Sequence, residues 1–83
     1  MRVTVYGSHL CPDTLFALNE LKKNNVDLDF KNISIDFGAL KEFMAIREAD
    51  PMYVEVKKNN GLGIPLLICE NGQKTFNVQD VIK

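Results

Sequence analysis

The sequence predicts a single α/β domain, residues 1–83, with a four-stranded mixed sheet and flanking helices in the order β-α-β-α-α-β-β-α. Three observations carry this. An alternating apolar run at residues 2–6 and another at 26–35 are separated by a helix-periodic stretch, which makes a βαβ unit with parallel strands. A third apolar run, Leu66–Cys69, is followed by Asn71-Gly72, a hairpin signal that adds an antiparallel fourth strand. Between the second and third strands lie two further helical stretches separated by Asp50-Pro51.

Each element has a local reason. Val3 and Val5 alternate with polar neighbours and place one face of the first strand inward. From Pro12 to Asn24 the residues Leu15, Leu18 and Leu21 recur every three positions, widened by Phe16 and Ala17. Asp13 in the first turn and Lys22-Lys23 in the last complement the helix dipole, and Asn24-Asn25 stops the helix. Leu28 and Phe30 alternate in one phase and Ile33 and Ile35 in the other, which calls for a bulge or strand end near Asn32. Residues 39–49 form a helix with Leu40, Phe43, Met44 and Ile46 on its apolar face. Asp50 caps a third helix that Pro51 opens and that runs to about Lys58. Residues 59–63 form a loop, residues 74–76 the fourth strand, and Asn77 caps a last helix over 78–83. Tyr6, Phe16, Phe30, Phe43 and Leu67 are the expected core.

The chain is 46% hydrophobic and 25% charged, with a net charge of −1, values ordinary for a globular domain. Acidic and basic residues are intermixed, so no basic stripe invites nucleic acid. The longest apolar runs are too short for a bilayer, and the N-terminus reads directly into a strand. Two cysteines, Cys11 and Cys69, are too few for a secreted disulfide scaffold of this size. A reducing, cytoplasmic setting is expected. With one histidine, His9, the cysteines do not complete a zinc site.

Cys11-Pro12-Asp13-Thr14 is the stretch that carries chemistry. It places a cysteine where a strand turns into a helix, and helix starts favour the thiolate, the reactive form. Pro12 suits the first helical position, where its missing N–H costs nothing. The charge of Asp13 opposes the thiolate while suiting the helix. Thr14 either donates to the thiolate or caps the backbone. His9 stands two residues before Cys11, within reach of a role in holding a substrate thiol; as a lone loop histidine its ordinary place is in solvent.

Taken together, Cys11-Pro12-Asp13-Thr14, Gly63-Ile64-Pro65 before the third strand, and the Asn71-Gly72 hairpin after it resemble the glutaredoxins, within the thioredoxin fold. The double helix containing Asp50-Pro51 is similar to a bacterial glutaredoxin-related subgroup. The resemblance implies a cis Pro65 facing the cysteine, with the Ile64 backbone free to pair with a bound peptide-like thiol. It also puts Asp80 where the family binds the amino end of glutathione. The chain departs from the family pattern at Thr14, which replaces the second redox cysteine, at Ser8, which replaces a lysine, and at Asn77-Val78, near the family's Gly-Gly.

The resemblance therefore implies a one-cysteine thiol-disulfide oxidoreductase. Cys11 would exchange with a small-thiol or protein mixed disulfide, with glutathione or another low-molecular-weight thiol as co-substrate and no tightly bound cofactor. No nucleic-acid or membrane partner is expected. Cys69 lies four residues beyond Pro65 on a strand, roughly 13 Å away at ~3.3 Å per residue, too far to resolve Cys11, and is expected in the core. Arg47, Lys57 and Lys58 are expected as surface charges, one of which could meet a glutathione carboxylate. Alternatives are an iron–sulfur cluster carrier, as in related one-cysteine proteins, and a binding module that has kept the groove without catalysis.

Overall fold

Strand β1 (Arg2–Gly7) lies inside the sheet of the computed structural model, which describes residues 1–82. It pairs in parallel with β2 (Asp27–Asn32) and antiparallel with β3 (Leu66–Cys69), which in turn pairs antiparallel with β4 (Lys74–Thr75). The order is β2-β1-β3-β4. This is an α/β fold with a four-stranded mixed sheet and flanking helices, and its elements follow the expected order.

Alternation along β1 feeds two cores, because helices cover both faces of the sheet. Val3, Val5 and Leu67 pack with Ala17 and Leu21 of α1 (Pro12–Lys23) and with Val78. Tyr6 and Leu66 point the other way. They meet Phe43 of α2 (Phe37–Ala49) and Tyr53, which ends a 3₁₀ turn over Pro51–Tyr53. Helix α3 (Val54–Lys58) continues from that turn, and α4 (Gln79–Ile82) closes the described chain. The second core is aromatic. Phe43 and Tyr53 meet edge to face at 5.9 Å, and Tyr53 and Phe76 do so at 5.1 Å, a geometry that aligns ring edges with ring faces.

Several elements differ from the sequence expectation. In α1 the buried residues are Thr14, Ala17 and Leu21, while Leu15 and Phe16 are exposed. A strict three-residue repeat drifts around a helix of 3.6 residues per turn, whereas positions 14, 17 and 21 stay on one face. Phe30 is half-buried rather than enclosed. Strand β2 ends at Asn32, and Asp36 starts α2 two residues earlier than expected by accepting from Ala39 N–H at 3.1 Å. The stretch opened by Pro51 is a 3₁₀ turn before it is an α-helix, since Tyr53 N–H reaches the Asp50 carbonyl at 3.0 Å.

The hairpin also differs. Its closing bond runs from Gly72 N–H to the Cys69 carbonyl at 2.8 Å, and only Gly72 has positive φ, at 92°. A two-residue type I′ turn needs positive φ at both central residues, so Asn71 does not form one. The loop is instead three residues long, with Gly72 in the left-handed position. The last helix begins at Gln79, whose N–H bonds to Asn77 Oδ1 at 2.9 Å, and Lys83 lies outside the described residues.

Two ionisable groups brace the second core. Burial, the hydrogen bond to Glu42 Oε1 at 2.9 Å and that carboxylate's charge push the Tyr6 phenol up to about 12. Asp50 accepts from Met52 N–H at 3.0 Å and pairs with Lys74 Nζ at 3.0 Å. Both contacts, the first more strongly, hold its carboxyl below the usual carboxylate range. Stability from a lowered carboxyl is complete above the unfolded value and is lost as pH falls through the folded one. Asp50→Ala should therefore unfold at lower urea than the wild type near neutral pH, and the gap should narrow as pH drops below about 4. Urea midpoints across the acid range check this, and a gap independent of pH contradicts it.

Candidate functional site

Cys11 is the N-cap of α1, with extended backbone angles (φ −99°, ψ 117°). Its N–H donates to the Ser8 carbonyl at 3.0 Å, and its carbonyl accepts from Leu15 N–H at 3.1 Å. The side chain makes no capping hydrogen bond, and the thiol is half-buried and unpaired. Exposed Pro12 takes the first helical position, as expected.

Thr14 is fully buried, and its hydroxyl accepts from Ser8 N–H at 3.3 Å. A Cβ on Gly7 would come within 2.6 Å of the Thr14 side chain, so the strand end and the helix start fit closely here. Thr14 thus locks the loop that presents Cys11, which matches the backbone role that its position allowed.

A groove of about 510 Å³ opens beside this helix start. Asp13, Phe16 and Ala17 form one wall, and Val56, Asn59, Gly61, Gly63, Ile64 and Pro65 form the other, with residues 76–78 closing it. The Ile64–Pro65 bond is cis and Pro65 is buried. Among the described residues, none of the turn, loop or cap hydrogen bonds uses the Ile64 N–H or carbonyl. An extended chain in the groove would find backbone donors and acceptors there.

Two side chains that sequence reasoning left as ordinary hold the second wall. Arg47 Nε donates to the Leu62 carbonyl at 3.1 Å, and its other guanidinium nitrogen donates to the Gly61 carbonyl at 2.6 Å. Arg47 is therefore not a free surface charge. The Tyr53 hydroxyl donates to the Gly63 carbonyl at 2.7 Å. Gly63 has φ +85°, and a Cβ there would overlap the Tyr53 ring. Nothing in the spacing of Arg47 or Tyr53 marks them; only the richness of glycine and asparagine in residues 59–63 hints at a loop needing outside support.

At the helix start it is Asp13 that lines the groove, with Cys11, Pro12 and Thr14 outside the lining, and His9 and Asp80 stand apart from it. His9 is exposed, and its Nδ1 pairs with Asn32 Nδ2 at 2.9 Å. Asp80 accepts from the Thr75 hydroxyl at 2.6 Å. It lines a separate hollow with Met1, Cys69, Glu70 and Val81. Cys69 is half-buried there rather than enclosed in the core, because β3 ends at that residue. It pairs with Val3 near the start of β1, whereas Cys11 follows the end of β1. Four strand residues, about 13 Å at ~3.3 Å each, separate those levels, beyond the roughly 7 Å limit for a disulfide's Cα atoms. Among the described residues no group of three His, Cys, Asp or Glu side chains is placed to hold a metal ion. No described helix is long and apolar enough to cross a membrane.

Fold and site define an α/β protein with one unpaired cysteine at a helix start beside a mostly apolar groove. The chain is 34% identical over 74 residues to an uncharacterized protein of Haemophilus influenzae (strain ATCC 51907 / DSM 11121 / KW20 / Rd), a match that covers 89% of this chain and 86% of that protein. It belongs to the same family as that protein. No family model matches the sequence, and no solved structure matches it.

The support of the second wall is open to a controlled comparison. Gly63→Ala should lose roughly 2 kcal/mol or more, from positive φ and the clash with Tyr53, while Gly61→Ala should lose about 1 kcal/mol or less. Urea unfolding of both variants checks this; equal losses contradict the assignment of Gly63 to the Tyr53 contact.

Proposed function

We propose that the arrangement is a thioredoxin-like fold and that the protein is a glutaredoxin-like, one-cysteine thiol-disulfide oxidoreductase. The observation that carries this reading is the unpaired thiol of Cys11 at the start of a 12-residue helix whose first turns wall a groove also lined by Ile64 and Pro65. The thiolate of such a cysteine is the nucleophile in disulfide exchange.

The exchange has two steps. Cys11 thiolate attacks one sulfur of a mixed disulfide, forming a Cys11–substrate disulfide and releasing the other sulfur as a thiolate. A second thiol, glutathione or another small thiol, then attacks that bond. It releases Cys11 and leaves with the substrate sulfur as a new disulfide. One disulfide is consumed and one formed, so the protein is unchanged over the cycle. The distance to Cys69 makes the second thiol external. Thr14 supports this chemistry by fixing the loop before the nucleophile, and Pro12 by setting the helix start.

Turnover of a cysteine–glutathione mixed disulfide, with glutathione as reductant, tests the reading. Cys11→Ser should abolish turnover above the uncatalysed rate, and Cys69→Ser should retain most of it. Equal turnover by the wild type and Cys11→Ser contradicts the reading.

A further inference from the structure

The groove at the start of α1, which reaches Asp13 two residues after Cys11, carries its own information about what enters it. Its walls hold Phe16, Ala17, Val56, Ile64, Pro65, Phe76 and Val78, and its polar side chains are Asp13, Asn59 and Asn77. Phe16 is 55% exposed and Phe76 37%, a large apolar surface facing solvent on a chain of this size. Asp13 is the one ionisable side chain in the lining, and it is negative. No lysine or arginine lines the groove, and Arg47, which supports the second wall, is bonded to the loop carbonyls.

Leu10, Ile35 and Phe37 are each more than 70% exposed. Leu10 and Ile35 lie in two loops tied together by the Ser8–Ser34 hydroxyl contact and the His9–Asn32 bond, and Phe37 opens α2.

Glutathione is a short, polar tripeptide with a net negative charge. Its two carboxylates call for cations, and the lining offers a carboxylate instead. An extended polypeptide segment fits better on three counts. Apolar residues beside its cysteine would cover Phe16 and Phe76, its backbone would pair with Ile64, and a neutral or basic character would suit Asp13.

Resting on the exchange reading above, we infer that the disulfide Cys11 attacks is carried by an extended protein segment with apolar, neutral-to-basic flanks, and that glutathione mixed disulfides are the poorer substrates. In the step concerned, a Cys11–peptide disulfide forms, the peptide's former disulfide breaks, and its leaving thiolate departs; a small external thiol later attacks the new bond, releasing Cys11 as a thiolate and leaving as a mixed disulfide with the peptide sulfur.

Mixed disulfides with thionitrobenzoate, which releases a coloured thiolate, make this measurable on the full chain. Three carriers are compared: acetyl-Lys-Phe-Cys-Leu-amide, its Glu-for-Lys counterpart, and glutathione. Each release rate, less that of Cys11→Ser, is divided by the rate for free cysteine in solution to remove intrinsic reactivity. The lysine peptide should exceed glutathione by about tenfold, roughly the effect of burying part of one aromatic ring, and should also exceed the glutamate peptide. Phe16→Ala, at an exposed position, should bring the first ratio down toward one. A lysine-peptide to glutathione ratio below about threefold, with release still dependent on Cys11, overturns the inference alone. Full release by Cys11→Ser for every carrier overturns the exchange reading, and the inference with it.

Discussion

Tyr53 is the contact on which the second half of the molecule depends. It is fully buried between α2 and the loop before β3, with its ring edge to face against both Phe43 and Phe76. Its hydroxyl is satisfied by the Gly63 carbonyl, so a polar tip is buried without leaving a partner unmet. Burial pushes its phenol well above the ordinary tyrosine range, which keeps it neutral and able to donate at physiological pH. One side chain thereby links the aromatic core, the backbone leading to Pro65 and the residues that follow β4. The last two of these also line the groove, through residues 63–65 and 76–78.

The two ends of the candidate site are built differently. Cys11 is placed by short-range effects: a proline at the first helical position, a buried threonine one turn into the helix, and the Ser8 loop folded back on both. The wall opposite is placed by long-range ones. Arg47 reaches Gly61 and Leu62 from 14 and 15 residues away in sequence, and Tyr53 reaches Gly63 from 10. Removal of a long-range support should affect one wall while leaving the cysteine loop in place, because the two sets of contacts share no residue.

This difference explains what was legible in the sequence. Period-2 and period-3.6 patterns, together with Asn24-Asn25, Asp50-Pro51 and the Asn71-Gly72 pair, were enough for element order and for a parallel β1–β2 pair. The helix start at Pro12 was equally plain, since capping chemistry is local. Boundaries and buried faces were harder. Phe16 is a large apolar residue beside a leucine repeat and reads as core, yet it stands half-exposed on the groove. Hydrophobicity alone does not distinguish a residue that packs inward from one that lines a binding surface. Arg47 reads as a surface charge because its partners are backbone carbonyls, which carry no sequence signal. Asp80 was placed by likeness to a motif, and the short β4 and the Thr75 hydroxyl direct it to another hollow.

The central claim is that Cys11 and the groove form one site. A solved structure of Cys69→Ser, trapped through Cys11 as a mixed disulfide with a short apolar cysteinyl peptide, tests it most directly. The account predicts an extended peptide lying between Phe16 and residues 63–65, with its backbone hydrogen-bonded to the Ile64 N–H and carbonyl. A peptide held by the disulfide alone, lying away from Ile64 and over Leu10 and Phe37, would contradict it.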